Sequence, residues 1–346
     1  MAIYYRFVSS TNTIYLNNAE ATPEYQPWYK NQVTLSNKYV VTELTNGKFV
    51  FPENCSEMFS YVLNTTFSDT DKWDMSNVTN MDEMFIFCEN LEYIDASTWN
   101  VSKVTSMKQM FRGCRKLTSI DGIGNWNTSK VRYFTEMFEN CNSITHFDFT
   151  PNFDTSYAYD MMYMFYNCNS LQELDLHTFS TEEVIYGYNF DTSRSTSGID
   201  YMFFGCTNLR IIDISGFDFT KIYAGSYNPG SARVFYNDYN LEHIYTRKNE
   251  NWTNNFNSTD CFYNCLKLPG YSEYIVSDPN YAKTAKYAKS IRSGGYFEDS
   301  PYIYMDKTII FEKYNNSWKQ CVAYDRRETD SESTTPWKEI IFRIFK

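Results

Sequence analysis

Histidine is scarce in this chain: three in 346 residues, at His146, His177 and His243. None has the company of Cys, Asp or Glu needed for a ligand set or a catalytic triad, so structural roles are expected for all three. Basic charge is in deficit, with 31 Lys+Arg against 42 Asp+Glu and a net charge of -11. That balance argues against nucleic acid, which needs a basic footprint. No run of 18 apolar residues exists, so no membrane-spanning segment and no membrane partner are expected. The opening residues Met1 to Arg6 lack the basic start and apolar stretch of a secretory signal, and none is expected. There is no phosphate-cradling glycine loop and no nucleophile–base set. The chain therefore reads as a non-enzyme, with no catalytic residues, no cofactor and no metal. What it has in excess is aromatics, at 19% with 31 Tyr and 27 Phe, enough to build a core and exclude wholesale disorder.

Self-similarity organises the sequence. The phrase Met-Phe-x-x-Cys-x-x-Leu-x-x-Ile-Asp recurs with its Phe at Phe59, Phe85, Phe111, Phe138, Phe165, Phe203, Phe235 and Phe262. The steps are 26, 26, 27, 27, 38, 32 and 27 residues, a period within the leucine-rich-repeat range. In the third copy Met107, Met110, Phe111 and Cys114 stand at i, i+3, i+4 and i+7, which predicts one face of a short helix. Leu117, Ile120 and Asp121 predict a short strand closing on a turn. An aromatic slot follows (Trp73, Trp99, Trp126, Phe153, Phe179, Phe217), then Ser and Thr as N-cap candidates for the next helix. One copy cannot bury its apolar side alone, so the expected fold is an α/β solenoid of about eight leucine-rich repeats, a short strand plus a short helix in each.

These residues resemble the BspA-like leucine-rich repeats of bacterial surface proteins and Mycoplasma lipoproteins. The likeness runs from about Cys55 to Gly270, on the motif at 110–121 and the Trp-Asn-Val-Ser-Lys-Val-Thr-Ser-Met run at 99–107. It implies a right-handed repeat fold used for binding, without catalytic residues, in a secreted or lipid-anchored adhesin.

Cysteines follow the period rather than any pairing rule: Cys88, Cys114, Cys141, Cys168, Cys206 and Cys265 share one slot and predict a ladder of small buried thiols. The Asp slot (Asp95, Asp121, Asp148, Asp175, Asp213) ends each strand, where a carboxylate can accept from turn amides.

Departures from the repeat are where binding is expected to enter. The long steps hold two insertions rich in Tyr, Gly, Ser and Asn, and Tyr186, Tyr188, Phe190, Arg194, Tyr223 and Tyr227 are the candidate binding residues. Between Lys103 and Arg132 seven basic residues meet one acid, Asp121; Lys108, Arg112 and Arg115 there are candidate interface residues. Outside the repeat, 1–54 reads as a β-rich cap and 271–346 as a β-rich C-terminal module, flanking the repeats at 55–270. The latter holds a hairpin over 308–324 and a last strand at 337–346. Its Trp-Lys pairs at 318 and 337 resemble the short β-modules of phage virion proteins, which adds Trp318 and Trp337 to the interface candidates.

The expectation is a non-enzymatic virion structural protein, such as a head fibre, capsid decoration or tail appendage. Its partners would be other virion proteins, further copies of itself, and a host surface protein or glycan. A bacterial cell-surface adhesin is the alternative.

Overall fold

The computed structural model describes residues 2–19, 22–28, 34–184, 198–217, 233–246 and 261–268, together with four strands between 297 and 321. It begins with a four-stranded sheet in the order β3-β1-β2-β4. β1 (Tyr4–Val8) and β2 (Thr13–Asn17) are an antiparallel hairpin; β3 (Gln26–Pro27) edges β1, and β4 (Tyr39–Thr42) runs parallel to β2. Ile14, Leu16 and Val40 bury its inner face. The sheet covers the open end of the first repeat: Asn37 N–H donates to the Tyr61 carbonyl at 2.9 Å, and Leu63 N–H to that of Lys38 at 2.9 Å. Asn64 bonds both the N–H and the carbonyl of Val40 at 2.8 Å. β5 (Phe49–Val50) then pairs in parallel with β6 (Trp73–Asp74) of the first repeat.

Successive repeats lie one on the next in register. β7 (Tyr93–Asp95) pairs in parallel with β8 (Ser119–Asp121), aligning Ile94 with Ile120. Further along, β9 (Glu173–Asp175), β10 (Ile211–Asp213), β11 (His243–Thr246) and β12 (Phe297–Asp299) form a second parallel ladder. The eight repeat phenylalanines form one buried column, with neighbouring centroids between 5.3 and 6.0 Å. Trp73, Trp99 and Trp126 form a second, at 5.4 and 5.8 Å. Each indole N–H is satisfied: by the Thr42 hydroxyl, the Thr70 carbonyl and the Ala96 carbonyl. Four of the five carboxylates in the Asp slot accept from turn amides as expected, Asp95 from Ser97, Asp148 from Thr150, Asp175 from His177 and Asp213 from Ser215. Asp121 accepts instead from the Tyr93 hydroxyl, and Asp148 ends no strand.

The expected α/β solenoid is overturned. Among the described residues there is no α-helix, only the three-residue 3-10 turns Thr70–Lys72 and Ile123–Asn125. The strands are short and fall into five separate sheets. The Met-x-x-Met-Phe-x-x-Cys segment is a ribbon of overlapping turns instead. Met84 N–H returns to the Met81 carbonyl, Ile86 to Glu83 and Cys88 to Phe85, all i to i−3. The N–H groups between them leave the repeat altogether: Glu83 donates to Lys108, Phe85 to Met110 and Phe87 to Arg112 in the next repeat.

Two slots per repeat are left-handed, which an α-helix cannot accommodate. The first, two before the Phe, holds Glu57, Glu83, Gln109, Glu136, Tyr163, Tyr201 and Arg233, at φ from 52 to 58°. The second, two after it, holds Tyr61, Phe87, Gly113, Asn140, Asn167, Gly205, Asn237 and Asn264. Such turns place i, i+3, i+4 and i+7 on one side as a helix would, so apolar spacing alone cannot separate the two.

In the C-terminal region β13 (Tyr302–Met305), β14 (Ile309–Tyr314) and β15 (Ser317–Cys321) form an antiparallel sheet. It contains the expected hairpin, with Tyr314 opposite Ser317. The expected strand at 337–346 lies outside the described residues.

Candidate functional site

The turn ribbons of consecutive repeats make one continuous face. The apolar residues of each ribbon point inward, and the slots between them line up into outward columns. In the first half of the face these columns are ionic. Arg112 bridges Glu136 at 2.6 Å and Glu139 at 3.2 Å, and Gln109 donates to Glu136 at 2.7 Å. Both glutamates are nearly buried, and burial together with the adjacent Glu136 pushes the Glu139 carboxyl up to about 7.

In the second half the same columns turn aromatic. Tyr166, Phe204, Tyr236 and Tyr263 stack at 4.8 Å per rung, with planes 10, 1 and 22° apart. Tyr163 and Tyr201 stack beside them at 4.7 Å. The Arg233 guanidinium lies over both Tyr201 and Tyr236 at 5.7 Å. All six rings are part-exposed. The rung spacing is that of paired strands, because the ladder bonds set it.

Stacking has a chemical consequence: each inner ring has its faces covered by its neighbours, leaving edges and phenol hydroxyls outward. The ridge therefore does not offer open ring faces to a sugar or a base. Rigid tyrosines beside an arginine are the composition of protein-binding hot spots.

Under the ribbon runs the thiol column, and its thiols do more than fill space. Cys88 Sγ donates to the Phe59 carbonyl of the preceding repeat at 3.0 Å, and Cys114 to Phe85 at 3.1 Å. Cys141, Cys168, Cys206 and Cys265 repeat the contact with Phe111, Phe138, Phe165 and Phe235. Burial raises the pKa of Cys114, Cys141, Cys168, Cys206 and Cys265, so these five stay protonated and remain donors. The seventh repeat places Asp238 in this slot. It is fully buried, accepts from the Cys206 N–H at 2.9 Å, and is held well above the usual carboxylate range by burial.

The interface candidates are spread through this framework. Arg112 is engaged as above, Lys108 sits over the Tyr133 ring at 4.3 Å, and Arg115 pairs with Glu89 at 3.5 Å on the surface. The basic run is thus distributed along contacts between repeats rather than gathered into one patch. Trp318 lies in β15. Tyr186, Tyr188, Phe190, Arg194, Tyr223, Tyr227 and Trp337 lie outside the described residues.

The aromatic ridge escaped sequence reading because its residues occupy the variable slots of the motif. The available signal was a change within two slots: Glu83, Gln109 and Glu136 give way to Tyr163 and Tyr201, while Arg112 and Glu139 give way to Tyr166, Phe204 and Tyr236.

Among the described residues no group of His, Cys, Asp and Glu is placed to hold a metal ion, and no helix is long and apolar enough to cross a membrane. Residues 53–179 and 151–267 match the model of a family described as "Mycoplasma protein of unknown function, DUF285". No curated protein and no solved structure matches the chain.

Proposed function

Since the chain belongs to this Mycoplasma family, part of the BspA-like repeat group, we propose that it is a non-enzymatic binding protein whose aromatic ridge docks a protein partner. The observation that carries this reading is the stack Tyr166–Phe204–Tyr236–Tyr263 flanked by Tyr163, Tyr201 and Arg233. Its rings are already ordered by one another, so little side-chain entropy is lost on docking. Edge-on aromatics and hydroxyls suit an apolar protein surface with polar groups at its margin, and the net charge of -11 disfavours nucleic acid.

The test is a pair of substitutions on the intact chain, Tyr201→Ser with Tyr236→Ser, and photo-cross-linking from the same two positions. Binding to the cross-linked protein should weaken at least ~10-fold, the loss of one good hot spot. Unchanged affinity in a folded double variant would remove the ridge from the binding surface.

The setting of that binding is a bacterial surface or a virion. The first is supported by the resemblance to the BspA-like repeat group. The second is favoured by the three-stranded antiparallel sheet β13–β15, which carries Trp318 and could serve as a docking module in a particle. Quantitative mass spectrometry of purified particles beside the cell-envelope fraction separates them. A fixed ratio to the major shell protein supports the virion, and enrichment in the envelope supports the adhesin.

A further inference from the structure

The parallel strand ladder is interrupted at the fourth repeat. β7 and β8 form one sheet and β9 to β12 another, while residues 146–148, which hold the strand's place in the repeat, join neither. The cause is a matter of length. Trp99 stands four positions after Asp95, but Trp126 and Phe153 stand five positions after Asp121 and Asp148. Each longer corner folds in its own way. The first makes the 3-10 turn Ile123–Asn125, entered through Gly122 at φ +77°. The second packs on it: Asn152 N–H donates to the Gly124 carbonyl at 2.7 Å, and a Cβ on Gly124 would stand 2.0 Å from the Thr150 carbonyl oxygen.

Between the two segments opens a cleft of about 500 Å³, lined in part by Ser119, Ile120, Asp121, His146, Phe147 and Asp148. That volume is within the range of ligand sites. Its floor includes an unsatisfied strand edge. The Asp121 carbonyl accepts from the Ala96 N–H at 2.9 Å, on the side of the second repeat. By the alternation of a strand, the main-chain groups of Ile120 and the N–H of Gly122 point the other way, into the cleft. Among the described residues no hydrogen bond joins 118–122 to 144–150.

We propose that this cleft takes an extended, basic peptide segment, which adds as a strand to the free edge of β8 and sets a lysine or arginine between Asp121 and Asp148. The free groups on the edge are the alternating donors and acceptors that a peptide main chain complements. The lining holds two carboxylates and neither lysine nor arginine. Both carboxylates are oriented: Tyr93 donates to Asp121 at 3.0 Å, and the Thr150 hydroxyl to Asp148 at 2.7 Å. Phe147, the one phenyl ring of the lining, is committed to Phe138 at 4.6 Å and Phe149 at 5.0 Å, which disfavours a stacked sugar. The proposal rests on the reading of the protein as a binder but uses none of the ridge residues, so either can fail alone.

The experiment is amide NMR on the full chain, titrated with the blocked peptide acetyl-Val-Lys-Val-Lys-Val-amide and its glutamate analogue. The Ile120 and Gly122 amides should shift with the lysine peptide at a Kd on the order of 1 mM, typical of so small a contact. Asp121→Asn should weaken that binding about 5-fold or more, the scale of a lost charge-assisted contact. Absence of shifts at ~5 mM peptide, or equal shifts with the glutamate analogue, would overturn the proposal. That comparison is made on the unsubstituted protein, so it stands even where a variant loses its fold.

Discussion

Asp238 accepts a hydrogen bond from the Cys206 N–H at 2.9 Å, in the slot where the flanking repeats put a thiol, Cys206 and Cys265. A thiol there donates to a phenylalanine carbonyl one repeat back. Asp238 makes no such bond: its Oδ2 is buried without a hydrogen-bond partner among the described residues, and burial holds the carboxyl well above the usual carboxylate range.

Asp238→Cys should therefore stabilise the protein by about 1–2 kcal/mol, read as a gain of several degrees in melting temperature. The gain should grow with pH, because a buried acid that must stay protonated loses its folded-state advantage as pH rises. A variant less stable than the parent at pH 8 would show that the buried carboxyl is not the costlier occupant of the slot.

The thiol column should be inert in the native state. Cys55 is pushed up to about 12 by burial, and burial likewise raises Cys114 and Cys141 well above the ordinary thiol value. An aromatic disulfide reagent should leave the eight buried cysteines untouched until denaturant is added. Cys114→Ala should cost about 1–2 kcal/mol, combining a small cavity with the loss of the donor to the Phe85 carbonyl. Rapid native labelling of any of the eight would contradict this packing.

Stability should fall as pH rises across the mildly acidic range. Folding raises Glu139 to about 7 and Asp160 to about 6, from ordinary values of 4.5 and 3.8, in both cases chiefly by burial. The folded protein thus keeps protons that the unfolded chain has released, an advantage complete below the unfolded values and lost through the folded ones. Asp74, lowered to about 2 by Lys48, has the opposite sign but acts below this window. Melting temperature should drop between pH 4.5 and pH 8, and Glu139→Gln should flatten the profile. A rising profile would mean that these carboxylates are ionised in the fold.

Two glycines separate strain from crowding. Gly47 lies at φ +77° with nothing within 4 Å of an added Cβ, so Gly47→Ala should cost only the left-handed penalty of about 1 kcal/mol. Gly124→Ala must displace the Thr150 carbonyl from 2.0 Å and should cost well over 2 kcal/mol in a denaturant melt. Equal costs would show that the two corners at the cleft are not held against each other.

The sequence determined which residues recur in each repeat, but not the class of fold they build. A slot repeated at 26 or 27 residues must meet its own copies when repeats stack, so the phenylalanine column, the thiol column and the Asp turns were all legible. The β-rich start and the hairpin closed at Tyr314 and Ser317 were legible from alternation and turn residues.

Tertiary structure decided the rest. Spacing at i, i+3, i+4 and i+7 fits an α-helix and an alternating turn ribbon equally well. The choice falls to the ribbon because every second N–H finds its acceptor in the next repeat, as Phe85 does at Met110. The Gly or Asn preceding most of the repeat cysteines was the local clue to a left-handed slot. The ridge and the cleft could not be read at all from one repeat. Stacked rings at 4.8 Å and a missing rung between β8 and β9 are relations between repeats, and only the assembled chain brings Tyr166 to Phe204 or parts Ile120 from Phe147.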